Sequence, residues 1–124
     1  MWIAVALIAL LLTEDPKPAA TWSSEDGMLE VDTIYEGDFK FATDTNEWEP
    51  VKRLPLMRHH CARINWLNPE EFPQLEPPAD DAEAMAREGS EPIRIRFKVI
   101  SRDIQRMEEF RWSVSYECRI LRIE

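Results

Sequence analysis

Glycine is scarce in this chain of 124 residues: there are three, against nine prolines. So few glycines and so many prolines predict short strands with stiff connections. Histidine and cysteine occur twice each, too few for most metal or nucleophile constellations. Positive charge is in deficit, with 15 Lys and Arg against 24 Asp and Glu, a net charge of −9. Such a chain gains no counterion-release energy from phosphates and repels nucleic acid at long range. The expected partners therefore exclude nucleic acid, and anionic lipid is a poor match. No internal repeat and no cofactor motif is present, so no cofactor is expected. Apolar residues make up 44% and charged residues 31%, an ordinary globular balance with room for one core.

The one long apolar run is Met1 to Leu12, M-W-I-A-V-A-L-I-A-L-L-L. Twelve helical residues reach roughly 18 Å, short of a hydrocarbon core of about 30 Å. The length suits the apolar region of a signal peptide. A basic segment before it is missing, and Thr13-Glu14-Asp15-Pro16-Lys17-Pro18 is a charged approach to Ala19 or Ala20 as a cleavage point. An uncleaved interfacial anchor and a buried first element are the alternatives. No cysteine follows the run to carry a lipid. Residues 1–20 are thus read as a signal or anchor, 21–27 as a linker with Trp22 as a docking point, and 28–124 as one β-rich domain. The expected location is periplasmic or secreted, with any membrane contact through the N-terminal segment alone.

Cys61 and Cys118 make an even count, which in an exported chain invites a disulfide. A loop of that length is worth about 4 kcal/mol in chain entropy. Two buried free thiols are the alternative.

Along the domain, Leu29, Val31, Thr33 and Tyr35 alternate with Glu30, Asp32, Ile34 and Glu36, a strand of period two over 28–36. Gly37-Asp38 is read as its turn, Phe39 and Phe41 as the start of a second strand, Thr43 to Glu47 as turn-like, and Trp48 to Lys52 as a resumption of the strand, made an edge or an irregular connection by Pro50 and Pro55. Arg58 to Leu67 is a third strand, with Ala62, Ile64 and Trp66 on the face of His60, and His59, Cys61, Arg63 and Asn65 on the other. Four prolines in 68–79 exclude a helix or central strand. Asp80 to Glu88 is a short helix. Asp80 caps it, Glu83 stands three residues on, and Ala82, Met85 and Ala86 form its apolar stripe. Ile93 to Ile100 is a fourth strand, and Ser101 to Arg111 is mixed with a helical turn. Trp112 to Ile123 is the last strand, with a shift of phase near Cys118.

Strand, strand, strand, helix, strand, strand is the order of a mainly β, five-stranded OB-like barrel with one short helix. Its third and fifth strands lie side by side, as do its first and fourth. An α+β sandwich and a small antiparallel sheet are the alternatives. The segments V-D-T-I-Y-E-G-D-F-K-F (31–41), C-A-R-I-N-W-L (61–67), I-R-I-R-F-K-V (93–99) and Y-E-C-R-I-L-R-I (116–123) resemble small exported bacterial proteins with OB-fold-like domains. The resemblance implies an export-competent β-barrel and names no ligand.

The side chains with chemical potential each have an ordinary explanation. Neighbours His59 and His60 point to opposite faces of a strand and share no metal easily, and His59 with Cys61 lacks further ligands. Cys61 as a nucleophile lacks an orienting third residue. Glu14-Asp15, Glu70-Glu71, Asp80-Asp81 and Glu108-Glu109 flank prolines, caps and turns, as solvated carboxylates do. Arg94, Arg96 and Lys98 form a basic stripe, expected to pair across strands with Glu30, Asp32 and Glu36. Trp66, Phe39 and Phe41 are expected in the core rather than on a stacking platform. No catalytic, metal or cofactor residue is named. The expected function is non-enzymatic: a small exported domain binding a ligand or protein partner. A cytosolic or tethered interaction domain with a docked N-terminus is the second reading. A carboxylate hydrolase is the third.

Overall fold

The computed structural model describes residues 19–23, 27–55, 60–108 and 111–124. The apolar run Met1–Leu12 and His59 lie outside them. Five strands and one helix follow in the expected order: β1 (Ile34–Ala42), β2 (Glu47–Pro50), β3 (His60–Trp66), α1 (Asp81–Glu88), β4 (Ile93–Glu108) and β5 (Arg111–Ile123). Two 3-10 turns, Pro69–Glu71 and Pro73–Leu75, carry the proline-rich stretch.

The strands form one curled sheet in the order β2-β1-β4-β5-β3. All neighbours are antiparallel except β3 and β5, which are parallel. This is the pairing of a five-stranded OB-like barrel, with β1 beside β4 and β3 beside β5. The curl leaves β2 and β3 as the two outer strands, and among the described residues no ladder joins them. The barrel is open along that seam.

The core fills the concave face. Tyr35, Phe39 and Phe41 on β1 meet Ile95, Phe97 and Val99 on β4 and Val114, Tyr116, Cys118 and Ile120 on β5. Trp66 packs edge-on against Phe39 and Phe97, with ring centroids 5.5 and 5.4 Å apart.

Four expected features stand differently in the structure. First, Gly37-Asp38 is no turn. Tyr35, Gly37, Phe39 and Phe41 share one phase, so the chain runs straight through as β1. The hairpin turns at Thr43–Asn46, inside the stretch 43–47 that reads as turn-like, and Asn46 takes φ 59° there. Met28–Thr33 is not strand: Asp32 turns there at φ 64°, while Leu29 is fully buried.

Second, Trp22 in the expected linker is core. Trp22 is 4% exposed, and its ring lies 5.9 Å from Phe97 and 6.2 Å from Tyr35. Its Nε1–H donates to Lys52 O at 3.0 Å. Ala20 exchanges backbone bonds with Ile34 and Glu36, at 2.8 and 3.0 Å, on the edge of β1 beyond the end of β2. Gly37 is what makes room: a Cβ there would stand 3.1 Å from Trp22 Cζ2 and Cζ3 and closer still to Cη2.

Third, α1 shows its expected apolar stripe to solvent. Met85 is 70% exposed, and Ala82 and Ala86 are exposed too. Ala84 is the buried position, and Arg87 lies over the Phe41 ring at 5.5 Å. A methyl side chain lets the helix approach β1, and the arginine stem covers the aromatic beside it. The Asp80 cap holds, accepting Glu83 N–H at 2.8 Å. Glu83 reaches back one residue further than a capping box requires, to Ala79 N–H.

Fourth, Ser101–Glu108 continues β4 as strand rather than forming a helical turn. It builds a β4–β5 arm that runs past the end of β1. The phase of β5 shifts at Leu121, three residues after Cys118: Ile120 pairs with Phe97 and Arg122 with Arg96, leaving Leu121 as the extra residue. Ile123 thereby returns to the core.

Candidate functional site: the open seam between β2 and β3

The cysteines show how register decides chemistry. They do lie on neighbouring strands, but Cys118 stands opposite Trp66 while Cys61 stands opposite Ser113. Five register positions separate them, roughly 16 Å along the strands. Cys61 is exposed on the outer face and Cys118 is buried on the inner one. The expected disulfide is not made: both thiols are free, and no side-chain rotation spans that distance. Burial pushes the Cys118 thiol up to about 12, so it stays protonated and inert.

The other sequence candidates are dispersed. His60 opens β3, and among the described residues no three His, Cys, Asp or Glu side chains could hold a metal. Glu70 and Glu71 are exposed on the first 3-10 turn, and Asp80 serves as the helix cap. Of the basic stripe, Arg94 pairs across strands on the outer face. It reaches Glu36 at 3.3 Å and Asp38 at 3.2 Å, and Arg122, outside the stripe, reaches Glu36 at 3.5 Å. Glu36 is one of the three expected acids; Glu30 and Asp32 precede β1. Phe39 and Phe41 are core, as expected.

What gathers instead is the seam. Two hollows of about 260 and 270 Å³ lie along it, end to end, and share Glu47, Trp48 and Ile64. One is floored by Phe41 and Trp66 and closed by Leu75, Pro77 and Arg87. The other runs past Ala62 to Leu54 and Arg53. Trp48 is held against Phe41, ring centroids 5.4 Å apart. Its indole Nε1–H is buried and has no acceptor among the described residues. A buried donor left unpaired costs about 1–3 kcal/mol.

The backbone along the seam also has no ladder partner among the described residues. Val51 N–H donates to Asp38 O at 2.8 Å, which fixes the phase of the β1–β2 ladder. Glu47 and Glu49 turn their peptide groups toward β1, and Trp48 turns its N–H and C=O into the seam. On the other side Leu67 N–H donates to Cys118 O at 2.8 Å. The odd residues of β3 therefore bond β5, and Ala62, Ile64 and Trp66 turn both peptide groups into the seam. One exposed ion pair crosses it, Arg63 to Glu47 at 3.6 Å.

The sequence places Trp48 at the head of a resumed edge strand, as β2 is, but does not single out its side chain. The signal was there: a tryptophan between two glutamates in a four-residue strand ended by Pro50 has one apolar face and nothing on its far side. No family model, no curated protein and no solved structure matches the chain.

Proposed function

We propose that this protein is a non-enzymatic binding module, exported by its apolar N-terminus, that holds a ligand or protein partner in the seam between β2 and β3. The observation that carries the reading is the pair of hollows that meet at Trp48 and Ile64 along the edge of β3. A concave, aromatic-lined cleft with a few convergent polar groups is what small binding sites consist of. The export half rests on Met1–Leu12, which is long enough for a signal and too short for a simple span.

Nile red, an uncharged dye, tests the cleft. Its emission rises on the wild-type protein, falls on Trp48→Ala and Ile64→Ala, and is unchanged on Leu121→Ala, whose exposed side chain lies elsewhere. Equal emission from all four proteins would remove the site. Intact mass of the protein from its native host tests export. Loss of Met1–Leu12 in an envelope or secreted fraction supports it, and an unprocessed Met1 in the cytosol overturns it.

A further inference from the structure

The seam offers something a small apolar ligand does not use. Ala62, Ile64 and Trp66 present three N–H and three C=O groups in a row on the free edge of β3. Such pairs recur about every 6.6 Å along a strand. Only another extended backbone supplies donors and acceptors at that repeat. Across the gap Trp48 adds its own N–H and C=O. A bare edge of this kind is a standing risk of aggregation unless it is covered.

The side chains specify what covers it. On the inner side the seam is floored by Phe41, Ile64 and Trp66. On the outer side of β2 stand the exposed carboxylates of Glu47 and Glu49, in a chain of net charge −9. Arg53 and Arg87 line the ends of the hollows, and Arg63 beside the carboxylates pairs with Glu47 through side chains that are 61% and 59% exposed. Pairs that open to water contribute little, so a ligand cation replaces it at small cost.

We propose that the occupant is an extended peptide segment of another protein, alternating apolar and basic residues, that adds as a strand to β3. Its apolar side chains enter the floor, and its basic side chains meet Glu47 and Glu49. The β3 edge from Ala62 to Trp66 sets the paired length at about five residues. This rests on the binding reading of the seam and adds the class of partner.

The probe is an end-blocked eight-residue peptide of alternating valine and lysine, titrated at low salt into the protein as its host produces it. Two isomers carry methyl groups on the odd or the even amide nitrogens. A valine–glutamate peptide is the charge control. The expected result is saturable one-to-one binding, at least tenfold weaker for one methylated isomer and for the glutamate peptide. The amides of Ala62, Ile64 and Trp66 gain protection from hydrogen exchange, and the Trp48 indole proton shifts. Both methylated isomers binding within twofold of the parent would overturn strand addition. So would protection that maps elsewhere, or self-association in place of peptide binding. If Nile red enters the seam and the peptide does not bind, the peptide partner is refuted while the cleft stands. If neither binds, both fall.

Discussion

Gly37 and Trp22 are 15 positions apart in a stretch that reads as linker followed by turn, and the structure makes them one contact. Substituting Gly37→Ala places a methyl against a ring that cannot easily retreat. Tyr35, Phe39 and Phe97 surround that ring, and its N–H is bonded to Lys52 O. Overpacking of this kind costs about 1–3 kcal/mol. The backbone itself does not object, because Gly37 lies outside the left-handed region. Trp22→Ala alone removes a buried tryptophan and costs about 3–5 kcal/mol. In that background the space over Gly37 is empty, and Gly37→Ala becomes stabilising by about 0.5 kcal/mol through the lower entropy of the unfolded chain. The sign reverses between backgrounds, with a coupling of about 2–3 kcal/mol. Urea unfolding of the four proteins measures it. If Gly37→Ala costs the same with and without Trp22, the ring does not sit on the glycine. If Trp22→Ala is nearly silent, the segment before β1 is not core.

Asn68 donates to Ile120 O at 3.0 Å and accepts from Ile120 N–H at 2.8 Å, replacing a strand neighbour where β3 has ended. Asn68→Ala strands both buried groups and lowers stability by about 2–4 kcal/mol in urea unfolding; a change under about 0.5 kcal/mol would show that water substitutes freely. Alkylation at neutral pH without reductant labels one thiol per native chain, Cys61, and two once the chain is unfolded. No labelling in the unfolded chain would restore a disulfide. Alkaline pH weakens the fold in a defined window. The native Cys118 thiol keeps its proton up to about 12 while the unfolded one ionises near 9, so stability falls as pH rises between them, by up to about 1.4 kcal/mol per pH unit. Burial raises the Tyr116 phenol as well, with the same sign. Cys118→Ala flattens the slope of unfolding free energy between pH 9 and 10, and an unchanged slope contradicts the buried thiol. On α1, Met85→Lys shifts thermal stability negligibly, whereas Ala84→Leu lowers it by about 1–3 kcal/mol through overpacking against β1; the reverse order would put the helix on its other face.

The strand content was legible wherever apolar residues alternate without interruption. Ile93, Ile95, Phe97 and Val99 on β4 needed nothing beyond period two, and four prolines in 68–79 excluded the alternatives there. Glycine misled at position 37. In isolation Gly-Asp between two strands reads as a turn, and only a ring arriving from residue 22 reveals it as a place of close approach. The helix face misled for a similar reason. With eight residues and few apolar ones, propensity and pattern leave the rotation of α1 undecided. Packing of Ala84 and Arg87 on β1 decides it. The seam was invisible because its two sides, Trp48 on β2 and Ile64 with the edge of β3, come from separate elements.

The apolar N-terminus marks out the segment of this chain on which the export proposal rests, and composition limits its plausible partners. The alternation of side chains determines a mainly β domain with one short helix, since a period of two commits each strand to one inner face. Register is a different matter. Whether Cys61 meets Cys118, whether Trp22 is linker or core, and whether β2 reaches β3 depend on how strands slide and how far the sheet curls. Those are cooperative outcomes of packing, in which every side chain in the core votes at once, and no local stretch of sequence contains them.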